Sequence, residues 1–201
     1  NTDELTISML PALASKWLAP RLAEMVTEVQ GANLRITASR ELVDFDKEQV
    51  SAAIRYGTGN WPQVRARPMA DETVAPVMAP SLAQQLNLAS HRALSEVTLL
   101  RCDNPDTWED WFAATGLKQP SQPNEIFFDE DATMIEAAIG GHGIALGRFA
   151  LVARDLRAGR LVAPFQYRMT SKFGYWFVQG TSSSETKPVM DFFQWARGHL
   201  L

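Results

Sequence analysis

The stretch "ELTISML", residues 4–10, alternates apolar and polar side chains with the two-residue period of a strand. "PALASKWLAPRLAEMVTEV" follows from Pro11 and sets Leu18, Leu22, Met25, Val26 and Val29 at helical spacing. "ANLRITAS" is a second short strand, and "LVDFDKEQVSAAIRYG" reads as a short helix running into a third strand that ends at Gly57. Strand, helix, strand, helix, strand is the order that most restricts the fold. It predicts a parallel sheet covered by helices, whose ligands gather at the carboxyl ends of the strands. The loops beginning at Leu10, Thr37 and Arg55 are therefore where function is sought.

The pattern resets after "TGNWPQVRARP". "ETVAPVMAP" looks extended, with Pro76 marking an edge or irregular strand, and "SLAQQL" is a short helix with Ser81 as its N-cap. "SEVTLLRC", "EIFFD" and "HGIALG" read as strands. "PDTWEDWFAATG", "EDATMIEAAIGG" and "FALVARDLRAG" read as helices, the first closed by Gly116. "RLVAPF", the aromatic strand "FGYWFVQ" and the polar linker "GTSSSETK" lead to a last helix with Val189, Phe192, Phe193, Ala196 and Leu200 on its buried stripe. That helix has no strand beside it in sequence, so it is expected to return to the first lobe. The expected architecture is α/β with two Rossmann-like lobes and two crossover segments, near residues 72 and 180. Lobe I takes residues 1–72 and 180–201, and lobe II takes 73–179.

A net charge of −4 argues against a nucleic-acid surface on this segment, because phosphate binding rests on clustered Lys and Arg. The single cysteine, Cys102, excludes an internal disulfide and a Cys-rich zinc site, which suits a reducing compartment and makes cytoplasm the expected location. The first residues lack the pattern of a signal peptide, and no apolar run is long enough for a membrane span.

The glycines of "AAIGGHGIALG" invite comparison with a phosphate loop, which needs a strand, then glycines, then a helix N-terminus. Here the helix comes first and the strand follows, so a tight helix-to-strand turn is the better reading. His91, His142 and His199 are far apart in sequence and in no metal spacing, and His142 reads as a solvated turn residue. No G-x-S-x-G elbow is present, and Cys102 is expected in the core. Asp129, Glu130 and Asp131 precede a helix. There they either complement the helix dipole, for about 0.3–1 kcal/mol each, or hold a donor group of a ligand. Asp44 poses the same choice, and Trp61 and Tyr175 are candidates for a pocket wall. No catalytic residue, metal or cofactor is expected.

Taken together, "LPALASKWLAPRL", "LRITASRELVDF", "AAIRYGTGNWP", "FDEDATMIEAAIGGHGIALGRFALVARDLRAGRLVAPF" and "YWFVQ" resemble the effector-binding domain of LysR-type transcriptional regulators, in that family's order and over nearly the whole chain. The likeness is strongest to the subgroup of the glycine-cleavage activator and the β-lactamase regulator. It implies a type 2 periplasmic-binding-protein-like fold without catalysis. It also implies a winged helix-turn-helix before residue 1 as the DNA reader, and self-association of this domain within a tetramer. The effector pocket implied lies between the lobes, at Ala12, Ser39 with Asp44, Tyr56, Glu130 with Asp131, and Tyr175. Ala12 stands where relatives often offer a hydroxyl, and Glu130 and Asp131 stand where small neutral polar residues are common. Both changes disfavour a purely anionic ligand, so the effector expected is an amino acid or amine. The rival readings are a periplasmic-type solute receptor and a small enzyme using Asp44 and Glu130 as an acid/base pair.

Overall fold

The computed structural model describes residues 3–29, 32–86 and 91–200; Asn1, Thr2 and Leu201 of the stretches read above lie outside them. In chain order the elements are β1 (Asp3–Met9), α1 (Leu22–Glu28), β2 (Ala32–Ala38), β3 (Ala52–Gly57) and β4 (Val64–Val77), then α2 (Pro80–Gln85), β5 (Leu99–Cys102), α3 (Trp108–Thr115) and β6 (Glu125–Phe128). They continue with α4 (Asp131–Ile139), β7 (Ile144–Arg148), α5 (Phe149–Arg157), β8 (Met169–Gly180) and α6 (Lys187–His199). The chain divides into two compact units, Asn1–Asp71 with Lys172–Leu201, and Glu72–Ser171. The second crossing thus falls within β8 rather than near residue 180, and most of the aromatic strand belongs to the first unit.

In the first unit β1 pairs in parallel with β2 and with β3, and β8 runs antiparallel to β3 with Tyr56 opposite Tyr175. The helical stretch after β1 is not uniform. Residues Leu13–Leu18 wind as a π-helix and Ala19–Arg21 as a 3₁₀ turn before α1 begins. Pro20 has no N–H to continue the ladder and its ring crowds the preceding turn, which accounts for the change of winding. Leu18, Met25 and Val29 are buried as their spacing predicts, whereas Leu22 and Val26 are exposed. All five apolar residues of the α6 stripe are buried. Trp17 Nε1 donates to the carbonyl oxygen of His199 at 2.8 Å, and the Trp17 and Trp195 rings lie 5.5 Å apart.

The second unit is built on β5, which pairs in parallel with β6 and β7, and on the antiparallel pair β4 and β7. The parallel sheet expected is therefore mixed, because β4 runs against β7 and β8 against β3. Its core gathers Val74, Leu99, Trp108, Trp111, Phe112 and Ile144. Pro76 lies opposite Leu146, in a strand with a neighbour on each side, not at an edge. Ser81 does not cap α2; Ala79 is the N-cap and Pro80 occupies the first turn, where its missing N–H is not needed. Gly116 closes α3 in the left-handed conformation (φ 69°), and Thr107 with Asp110 forms a capping box at its start.

Candidate functional site

In the first unit the carboxyl ends of β1, β2 and β3 meet around one arginine. Arg55 is 4% exposed, and its guanidinium donates to Ser8 Oγ (2.9 Å) and to the carbonyl oxygens of Glu41 (2.6 Å) and Ser39 (3.1 Å). These three acceptors are neutral. Burial accordingly holds the Arg55 pKa below its ordinary value, with the charge of Glu48 opposing that shift. Ser39 is tied to this group by its carbonyl oxygen. Its amide donates to the Met9 carbonyl oxygen (2.9 Å) and its Oγ accepts from the Glu41 amide (3.0 Å), which leaves the hydroxyl hydrogen available to a ligand. Arg55 was not among the predicted site residues. The signal for it was a charged residue inside the apolar strand "AAIRYG", where a buried cation has to find acceptors.

The other predictions in this unit fare differently. Ala12 is buried at the start of the helical stretch. The short helix expected after Asp44 is a single turn instead. The Asp44 carbonyl oxygen accepts from the amides of Lys47 and Glu48, its Oδ1 accepts from the Asp46 amide, and Lys47 Nζ lies 2.8 Å from Oδ2. Such side-chain to backbone bonds compete with helix formation. The hydrogen bond from Lys47 lowers the Asp44 pKa, although both groups are at the surface. Tyr56 and Tyr175 pack with ring centroids 4.9 Å apart, and Phe173 lies 6.1 Å from Tyr56. Tyr175, read as part of an exposed-looking strand, is 1% exposed, with the Tyr56 ring packed against it. Trp61 lies over Gly57, where an added Cβ would approach its ring to 2.8 Å. Trp176 covers Gly59 and donates to the Gly57 carbonyl oxygen at 3.0 Å.

In the second unit the acidic stretch before α4 is engaged in capping and pairing. Glu130 is the N-cap, its Oε2 accepting from the Thr133 amide at 3.0 Å. Asp131 accepts from Asn104 Nδ2 at 3.1 Å and forms an ion pair with Arg148, whose side chain is 3% exposed. Glu72, fully buried, accepts from the amides of Thr73, Phe149 and Ala150 and so closes the start of α5 from β4. Nothing in the sequence around Glu72 announced this long-range role. At the end of β5 a cavity of about 30 Å³, near the size of one water, is bordered by Cys102, Asn104, Asp106 and Thr107. Cys102 is half-buried at this rim rather than in the core, since β5 ends there.

The glycine loop is the helix-to-strand turn its order implies. Gly140 caps α4 with ordinary helical φ, Gly141 takes φ 79°, and a Cβ at Gly143 would come within 2.5 Å of the Thr98 carbonyl oxygen. His142 stands exposed in that turn. His199 instead sits at the end of α6 against α1.

Three comparisons bear on this arrangement. The sequence profile of the LysR substrate binding domain matches residues 1–201. The glycine cleavage system transcriptional activator of Escherichia coli K12 is 33% identical over 192 residues, which cover 95% of this chain and 63% of that protein. The effector binding domain of AmpR from Citrobacter freundii superposes with a TM-score of 0.85 at 29% identity, covering 98% of both chains. That of AmpR from Pseudomonas aeruginosa gives 0.84 at 31%, covering 98% and 95%. The relatives are transcriptional regulators, neither enzymes nor solute receptors, and this chain spans about 63% of the length of the curated activator it matches. Two α/β units joined through the strands β4 and β8 match the fold of these effector-binding domains, and the chain belongs to the LysR substrate-binding domain family.

Proposed function

We propose that this chain is the effector-sensing part of a LysR-type transcriptional regulator and that its effector is a small metabolite with both acidic and cationic ends, an amino acid. The observation that carries the reading is Arg55, a buried cation hydrogen-bonded to neutral oxygens, one of them the carbonyl of Ser39. A ligand carboxylate received by the Ser39 hydroxyl meets the field of a guanidinium whose hydrogen-bond acceptors are neutral, offset through space by the charge of Glu48. Within the second unit, taken by itself, Glu130 engages only Oε2 in its cap, so its Oε1 is open to a cationic group, whereas both oxygens of Asp131 are already engaged, as are those of Asp44 in the first unit. Ala12, Tyr56 and Tyr175 then serve as apolar and aromatic surroundings.

The regulator's output follows from linkage: an effector shifts a conformational equilibrium only by its differential affinity for the two states, with useful coupling of about 1–3 kcal/mol. DNA contact through a preceding winged helix-turn-helix, pairing of this domain within a tetramer and a cytoplasmic location complete the proposal. Among the described residues no helix is long and apolar enough to cross a membrane. A thermal-shift screen of amino acids, amines and dicarboxylates tests it. Amino acids are expected to raise Tm, with Ser39→Ala and Glu130→Gln weakening the response. A screen in which only dicarboxylates act overturns the ligand class.

A further inference from the structure

We infer that Glu24, Glu28 and His199 form a binding site for a borderline divalent transition cation of the Zn²⁺ class, separate from the effector site proposed above. One ligand atom from each of the three lies within 4.8 Å of the others. Glu24 and Glu28 are four residues apart on α1 and so share a helix face. His199 reaches them from the last residue of α6.

The imidazole is already oriented for this task. Its ring stacks on Trp195 at 5.1 Å with an interplanar angle of 25°. Nδ1 lies 2.7 Å from the Trp195 carbonyl oxygen, which can only accept, so the Nδ1 hydrogen is committed there. Nε2 is thereby turned toward Glu24 Oε1, 3.0 Å away. A ring nitrogen bonded to a backbone carbonyl while the other faces carboxylate oxygens is the outer-shell support that metal-bound histidines carry.

Electrostatics point the same way. Like charges four residues apart on a helix repel, and Glu28 stands at the end of α1 where the helix dipole is negative. A divalent cation reverses both penalties. One imidazole and two carboxylates select Zn²⁺ or its neighbours over Mg²⁺, which prefers an all-oxygen octahedral shell. Such an ion would bridge the start of the chain's helical face to its last helix.

Calorimetric titration of the chain with Zn²⁺, with Mg²⁺ for comparison, tests the site. One saturable Zn²⁺ event is expected, absent with Mg²⁺, with Tm raised by about 5 °C at a hundredfold excess over Kd. Glu28→Gln, which leaves the His199 contacts intact, and His199→Gln are each expected to weaken binding at least tenfold. With Co²⁺ as a spectroscopic probe, ligand-field bands without a sulfur charge-transfer band are expected. Unchanged Zn²⁺ affinity in Glu28→Gln, equal heats with Mg²⁺, or a sulfur-to-cobalt band placing the metal at Cys102 would each overturn the assignment.

Discussion

Arg55 Nη1 donates to the carbonyl oxygen of Ser39 at 3.1 Å, tying the interior of β3 to the first residue after β2. The loop that carries the candidate ligand hydroxyl is thus positioned by a buried cation, and stability and ligand affinity share one residue.

Arg55→Met is expected to cost about 2–4 kcal/mol, because Ser8 Oγ and two carbonyl oxygens lose their donors inside a nearly closed site. Urea unfolding checks this. Arg55→Lys should recover only part of the loss, since an ammonium cannot span three acceptors in the fork geometry of a guanidinium. A loss below about 0.5 kcal/mol for the methionine variant, the range of ordinary surface substitutions, would show that water satisfies those acceptors instead.

The two neighbouring acids before α4 should separate cleanly. Asp131→Asn removes one charge of the ion pair with the buried Arg148 and is expected to destabilise by about 2–4 kcal/mol. Glu130→Ala removes a cap worth about 1 kcal/mol. Chemical denaturation of the two variants side by side gives the order, and equal losses would contradict it.

Gly59 and Gly116 both have left-handed φ, but only Gly59 has a neighbour in the way: a Cβ there would lie 2.5 Å from Trp176. Gly116→Ala should therefore cost about 1 kcal/mol from backbone strain alone. Gly59→Ala should cost more, and Trp176→Ala in the same chain should reduce that excess. A thermal-melt double-mutant cycle measures the coupling.

Acid should weaken the fold through the pair Glu109 and Arg101. The hydrogen bond from Arg101 holds the Glu109 pKa below its ordinary value of 4.5. A depressed carboxylate pKa contributes stability that is present above the unfolded value and is lost as pH falls through the folded one. The Tm difference between the native chain and Glu109→Gln should accordingly be largest near neutral pH and shrink below about pH 4. A difference that grows on acidification would reverse the sign.

Much of this was readable from residues 4–57, 95–148 and 187–200, where period-2 and period-3.6 patterns alternate and Gly116 punctuates them. The strands β1, β3, β5, β6 and β7 and the stripe of α6 follow from that patterning, because each element's buried face is written in its own neighbours. Asp44 and Glu130 were legible as helix-terminus acids. Which of the two roles each plays was not, since capping and ligand binding call for the same carboxylate at the same place. Glu130 proves to cap α4, and Asp44 closes a turn that is not a helix.

The sequence by itself determined the alternating α/β order, the family and the helix-to-strand sense of the glycine loop, all of which depend on residues close together along the chain. Only the tertiary structure decided the mixed direction of the sheet, the burial of Tyr175 and the partners of Arg55, Glu72, Asp131 and His199. Most of those partners lie 14 to 182 residues away, as with Arg55 to Glu41 and Trp17 to His199. Hydrogen bonds and ion pairs carry no periodic signature, so a buried charge marks in sequence that a partner is required without saying which.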